Sequence, residues 1–516
     1  MKEQDNRNLA GFDFVSNNPI EAQAQAAYAL NPIPEIAPSA FQVNGGLLFA
    51  GGPVNKTVTK TMPRGAFSYL LNEHTNLRGG FGLFSYDYFF ENINQAGFSQ
   101  ATPVLVTQDN GLTFTGANLT NPIPGGILVQ PVGSALGLSS QLGQNLGTLF
   151  QEDREAAYYR RWEASLQHDW SGGWVTSLTY IGSRGVNLPV ARQTNNIPMQ
   201  YLSTSRSRDV ANEAFLAANV TNPFAGLLPG STINGATVAR SQLLRPSPHF
   251  GTFAIEEYNG SDRYDAGTIQ LEKRFRSGNS FTAQYTRSSL HDQLNFLNPQ
   301  DGVLEDRVSP NDRPNRFSLG TSLRLPFGRE EKWGKDWNAL VDGILGGWQM
   351  SGTYQYQDGF PLSWNSAYYD SACGGPTTLV SHIGEKVSGG IAGLDVPAWD
   401  TSCFYFHDAP VQTNGVDDPV KQRADQRIQL NNNVRYFPST LPSVRTDNLH
   451  LLDVGLFKNF SMAHGMRLQV RFEAINALNY TVLWNPDTNP RNSTFGFINQ
   501  DRNNPRDLQI GARFTF

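Results

Sequence analysis

Polar and apolar residues alternate with period two in many short runs along this chain. The final run is the strictest. Leu508, Ile510, Ala512, Phe514 and Phe516 fall on one side, and Gln509, Gly511, Arg513 and Thr515 on the other. Successive strand side chains point to opposite faces, so this is a strand with one apolar and one polar face. Two settings accommodate such a strand at a carboxyl terminus. In a membrane barrel the apolar face meets lipid, the polar face meets the lumen, and the terminal aromatic sits at an interface. In a soluble sandwich the apolar face meets a second sheet. The stretch alone leaves both open.

The same pattern recurs upstream. Strands are expected over 64–70, 77–86, 158–170, 174–181, 264–275, 281–286, 317–324, 348–356, 449–460 and 466–476, which with the last run makes eleven. Trp348, Met350, Gly352, Tyr354 and Tyr356, for example, alternate with Gln349, Ser351, Thr353 and Gln355. Helical patterns are few: 20–30, ended by Pro32, Pro34 and Pro38, a turn or two near 211–218, and one turn near 337–344. A further strand is expected over 41–50.

The connections sort by length. Those at 71–75, 171–173, 276–280 and 461–465 are short, and those at 87–156, 185–261, 290–314, 359–448 and 477–506 are long. Only 326–345 breaks the rule, on the short side. Tight turns at one end and long loops at the other describe an outer-membrane barrel with periplasmic turns and extracellular loops. A soluble sandwich has no reason to sort its loops this way, and such long loops are unusual in a compact domain. Aromatic residues agree: Trp170, Trp174, Phe275, Phe281, Trp348 and Phe460 all stand beside the short turns, as a periplasmic girdle would.

Composition refines this picture. The 516 residues are 39% hydrophobic, with 32 Phe, 18 Tyr and 9 Trp, and no run approaches the 18 apolar residues of a membrane helix. A barrel escapes that test, since half of each strand is polar. Net charge is -5 with the basic residues scattered, so no nucleic-acid footprint is present. The start, MKEQDNRNLAGFDF, lacks the basic and apolar regions of an export signal. Either the chain is soluble, or it is the later part of a longer protein, and the loop sorting favours the second. Residues 1–63 read as an extracellular-loop-like segment with a partial strand, and 64–516 as the carboxyl-terminal part of a barrel.

Several segments, taken in order, carry a family resemblance: LRGGFGLF (77–84), TNPFAGLLPG (221–230), LEKRFRSGNSFTAQYTRS (271–288), NDRPNRFSLGTSLRLPFG (311–328), GGWQMSGTYQYQDGFPLS (346–363), LQVRFEAINALNY (468–480) and DLQIGARFTF (507–516). They resemble the barrel of Oar-like TonB-dependent outer-membrane transporters, receptors with an amino-terminal carboxypeptidase-regulatory-like domain. The resemblance implies a 22-stranded barrel, of which this chain supplies about 11–12 strands. It implies a plug domain, coupling to TonB–ExbB–ExbD through an amino-terminal region missing here, and ligand uptake. It also makes Phe514 and Phe516 the signal read by the barrel-assembly machinery, with outer-membrane lipid as the other partner. The ligand stays unknown. Two alternatives remain: a non-transporting structural or adhesion barrel, and a soluble glycan-binding β-sandwich.

No catalytic constellation, cofactor motif or metal pattern stands out. Cys373 and Cys403, the only cysteines, lie in one long loop. Outside the cell they favour a disulfide, with roughly 3 kcal/mol of stabilisation. A metal site with His382 and His407 has no standard spacing, and two free thiols are the remaining option. Acidic pairs at 301–306 and 417–418 lack calcium-loop spacing. Inward charges at Glu163, Asp169, Glu272, Arg274, Arg324, Arg467, Arg471 and Glu473 are expected to pair within the wall or meet a plug.

Overall fold

The computed structural model describes residues 9–49, 59–85, 133–150, 155–205, 209–228, 231–275, 279–329, 331–367, 373–404, 432–461, 466–490 and 492–516, with single positions between them. The turns at 276–278 and 462–465 fall outside these residues, as do Tyr86 and much of 87–156 and 405–431.

Eleven strands form one antiparallel path in chain order. They are β1 (Arg64–Asn72), β2 (Thr75–Ser85), β3 (Tyr158–Trp170), β4 (Trp174–Gln193), β5 (Phe253–Arg274) and β6 (Ser280–Gln293). They continue with β7 (Asn315–Arg324), β8 (Trp348–Gln357), β9 (Leu449–Ser461), β10 (Arg467–Ile475) and β11 (Asp507–Thr515). Each pairs with the next in sequence, as hairpins do when the hydrophobic pattern sets the register. The eleven expected strands are all present.

Registers from β6 to β11 run without interruption. Leu319 lies opposite Tyr354, and Phe472 opposite Ile510, so each apolar stripe continues across the sheet. Two close cross-strand pairs show why small residues occur in these strands. The Trp162 ring lies over Gly182 so closely that a Cβ there would sit 2.3 Å from it, and Phe67 covers Gly79 in the same way at 2.5 Å. A side chain at either glycine would displace the ring.

The path does not close. Among the described residues β1 and β11 each pair on one edge only. Their surroundings reflect that: every residue of β1 is exposed, as is every residue of β11 except Gly511. The strands between them are mostly half-buried.

Several boundaries depart from the sequence pattern. The first turn shrinks to 73–74, because β1 reaches Asn72 and β2 starts at Thr75. The larger correction concerns β4 and β5, which are 20 and 22 residues long where eight and twelve were expected. At about 3.3 Å per residue β5 extends on the order of 70 Å, far more than a bilayer requires. The loop expected over 185–261 therefore spans only 194–252. Period two fails here for a physical reason. Leu188 and Val190 are buried on β4, and the consecutive Phe253, Ala254 and Ile255 are all buried on β5, so the upper part of the pair is covered on both faces. The register slips between Glu257 and Gly260, and Asn187 takes a left-handed φ of 56°. A parallel segment, Gly147–Phe150, adds to Phe253–Glu256.

The long connections carry structure of their own. A hairpin of Leu9–Asn17 and Asn44–Phe49 flanks helix α1 (Glu21–Leu30). Helix α2 (Val210–Ala217) is capped by Asp209, whose carboxylate accepts from Asn212 N at 2.9 Å. Helix α3 (Ala339–Leu345) lies at the short-turn end, in the one long connection there, and Asn338 caps it through Val341 N.

The alternation assigns Val470 to the lipid face and Gln469 to the other. Val470→Arg is expected to cost on the order of 2–4 kcal/mol near the midplane, and Gln469→Arg much less. Denaturant unfolding from lipid vesicles measures both; equal costs would reverse the assignment of faces.

Candidate functional site

The long-loop end of the sheet is where unlike elements converge. It is built from three buried clusters, each assembled from residues far apart in sequence.

The first fills the 358–448 segment. Trp364 stacks on Phe404 at 5.8 Å, Phe404 meets Phe495 edge-on at 4.9 Å, and Trp399 packs against Phe495 at 5.6 Å. Leu362, Tyr369, Phe437, Leu441 and Val444 complete the core. Such rings contribute large buried areas from few residues, which is how a segment poor in regular structure holds a shape. The Cys373–Cys403 disulfide closes this core, with Cα atoms 6.1 Å apart. Cys403 is itself buried.

Arg435 is the polar centre of the same segment. Its guanidinium donates to the carbonyls of Trp364 (2.6 Å), Phe437 (2.7 Å) and Pro438 (3.3 Å). Burial holds its pKa below the ordinary arginine value. Three further contacts clamp this segment to the neighbouring 294–314 loop. Arg445 pairs with Asp312 at 2.8 Å, Glu305 accepts from Ser439 N at 2.9 Å, and Arg307 donates to Ser439 Oγ at 2.8 Å while pairing with Asp292.

The second and third clusters join residues 9–49 to the 194–252 loop. Tyr28 stacks on Phe41 at 4.0 Å and packs with Leu216, Phe224, Leu228 and Leu243. Phe12 stacks on Phe253 at 4.6 Å, with Leu47, Leu149 and Phe250 around them. His249 is fully buried between Phe224 and Phe250. Its Nε2 lies 3.2 Å from Gly45 O, so the ring carries its proton there. Burial drives its pKa down to about 4, against a smaller opposing effect of the Gly45 bond.

Below these clusters the polar face of the sheet carries a cavity of about 400 Å³, lined by Gln284, Thr286, Ser288, Arg316, Ser318 and Gln357 among others. The apolar face has a shallow depression of about 430 Å³ over Leu77, Leu166, Leu178 and Ile269. The polar cavity is the one that can bind a water-borne solute.

The residues singled out from sequence fall into place as follows. Trp170, Trp174, Phe275, Phe281, Trp348 and Phe460 stand at the short-turn end. Trp174 lies 5.9 Å from Phe281, and the Lys273 ammonium sits 4.5 Å from both Trp174 and Phe275. Trp348 and Phe460 flank Lys458, which donates to the α3 carbonyls of Asp342 and Gly343. Trp170 Nε1 donates to Thr176. Phe514 and Phe516 lie 6.1 Å apart at the end of β11, and Phe516 is almost wholly exposed. Of the inward charges, Arg324 pairs with Glu331, outside the wall, and Arg471 donates to Gln469. Asp306 pairs with Arg263, and His382 bonds Glu385. His407 and Asp418 fall outside the described residues. Among the described residues no group of three candidate metal ligands comes together. The aromatic loop core and Arg435 had no periodic signal in the sequence; spacing alone could not have found them.

Comparison with known proteins gives a family and a fold. The family described as outer membrane beta barrel domain matches residues 1–509. No curated protein matches the sequence. Among solved structures, the outer membrane transporter YddB from Escherichia coli is similar at 7% identity and TM-score 0.37, over 86% of this chain and 38% of that one. The FrpB iron transporter from Neisseria meningitidis is similar at 9% and 0.33, over 87% and 38%. The pyoverdine receptor FpvA from Pseudomonas aeruginosa is similar at 11% and 0.34, over 88% and 36%. The chain thus spans less than two fifths of the length of these proteins.

Two expectations follow. Replacing Cys373 and Cys403 by Ser should destabilise the 358–448 segment by about 3 kcal/mol, read as faster cleavage there by protease added to intact cells. His249 binds a proton less readily folded than unfolded, at about 4 against 6.5. Its contribution is therefore full above pH 6.5 and falls as pH drops toward 4, by about 3 kcal/mol in all. Thermal unfolding across that range should show this loss in the wild type and not in His249→Gln.

Proposed function

The chain belongs to the outer membrane beta barrel domain family, which places it in the bacterial outer membrane, and on that premise we propose that it is the barrel portion of a TonB-dependent receptor. The observation that carries the reading is the eleven-strand path with both edges unpaired among the described residues. In hydrocarbon every unpaired backbone group costs several kcal/mol, so this sheet needs further strands to span a membrane. A barrel that contains these eleven and more belongs to the large class, and at 22 strands that class has a plugged lumen.

In this reading residues 64–516 form about half of a 22-stranded wall of Oar-like type, and residues 1–63 join the extracellular superstructure. The long loops capture a solute, and TonB–ExbB–ExbD drives displacement of a plug that fills the completed barrel. The clamped and disulfide-closed loop core favours capture by a preformed surface, which lowers the ordering cost of binding. The aromatics beside the short turns act as the periplasmic girdle. Phe514 and Phe516 serve as the signal for the barrel-assembly machinery. The reading assigns no catalysis.

In-cell crosslinking of the complete receptor to TonB tests this reading. A crosslink that is lost when the receptor's amino-terminal region is deleted is expected. A receptor that is assembled in the outer membrane but never crosslinks would leave the non-transporting adhesion barrel as the better account.

A further inference from the structure

Three arginines meet at the long-loop end of the polar face without a carboxylate between them. Arg313 precedes β7, Arg316 lies on the polar face at the loop end of β7, and Arg502 comes from the 476–506 connection. The Arg313 and Arg502 guanidiniums stand 5.2 and 5.3 Å from the ring centre of Phe360, which follows β8. Arg313 and Arg316 both line the 400 Å³ polar cavity. Arg313 also lines a neighbouring one of about 330 Å³, walled by Pro310, Phe360, Pro361 and Asn485. Arg313 is thus shared by two adjoining cavities.

The charges here are unbalanced. Among the described residues none of the three arginines makes an ion pair; Arg313 donates only to the Gln357 side chain, at 3.0 Å. The acids beside Arg313 and Gln357 in sequence are committed elsewhere, and Asp501, which precedes Arg502, makes no ion pair with any of the three among the described residues. Asp312 holds Arg445 and accepts from Leu290 N, and Asp358 accepts from Asn315 and Tyr356. Burial, then Arg502 and Arg316, depress the Arg313 pKa, so its charged neighbours are cations. A cleft lined by one sign of charge raises the local concentration of the opposite ion. The guanidinium fork fits carboxylate and phosphate oxygens two at a time.

We propose that Arg313 and Arg502, gathered around Phe360, form with Arg316 on the wall of the adjoining polar cavity an anion-recognition site at the mouth of the lumen for a small solute bearing two or more carboxylate or phosphate groups. Two guanidiniums against one ring hold two acidic groups of the solute, and Arg316 draws the third contact down into the polar cavity. The receptor reading supplies only the onward fate of that solute; the site itself rests on the geometry of the three arginines.

Calorimetric titration of the complete purified receptor in detergent tests the site, with citrate, inorganic pyrophosphate and the neutral sugar raffinose as probes. Citrate or pyrophosphate should bind and raffinose should not, and binding should weaken with added salt. Binding of citrate alone assigns a polycarboxylate, and binding of pyrophosphate alone a phosphorylated solute. Arg313→Gln and Arg502→Gln should each weaken binding about tenfold or more. Arg287→Gln, which removes a guanidinium bonded to Asn315 on the opposite face, should not. Heat-dependent gel mobility confirms that each variant is folded. Failure of both anions to bind, or wild-type affinity in a folded Arg313→Gln/Arg502→Gln variant, overturns the proposal. TonB plays no part in the measurement, so its outcome and that of the crosslinking are separate.

Discussion

Hydrocarbon offers no partner to a backbone N–H or C=O, and this constraint shapes the molecule. Each spanning strand must find its hydrogen bonds on both edges, in neighbouring strands. Among the described residues nine of the eleven strands do so. The uninterrupted registers from β6 to β11 follow, because a slip within the bilayer would strand polar groups in lipid. Irregularity lies at the ends of strands: at the turn end of β1, between Leu70 and Asn72, and in the upper reaches of β4 and β5, where Asn187 and Gly260 break the ladder and loop residues cover the sheet. The same constraint gives β1 and β11 their meaning. Among the described residues each of them pairs on one edge only, and their faces are exposed.

Beyond the bilayer the accounting changes. Water can satisfy a loop's backbone, so the long connections are free to build compact cores of their own. They do this with aromatic rings and with arginines that tie carbonyls together. Arg435 holds one segment, and the Arg445–Asp312 pair joins it to the next. Each strand end is thereby fastened to a shaped surface rather than a tether. Arg313 and Arg502 meet Phe360 where that surface joins the polar face, which is where the proposed anion site lies.

Much of this was legible in the sequence. All eleven strands could be read because period two is a local property, present in residues that are neighbours along the chain. The faces could be read for the same reason: Trp348, Met350 and Tyr354 needed no partner to be seen on one side. Strand ends were less legible. Phe253, Ala254 and Ile255 follow one another on β5 and are all buried, and apolar residues on both faces erase the alternation on which the reading depends.

The sequence by itself determined the strands, their two faces, the sorting of turns from loops, and so the membrane setting. Only the tertiary structure decided what the loops make. Trp364 meets Phe495, Asn298 meets Arg435, and Arg313 meets Arg502 across Phe360. Contacts between residues so far apart in the chain leave no period behind. They are set by where the strands deliver the loop ends, and that is a property of the folded sheet.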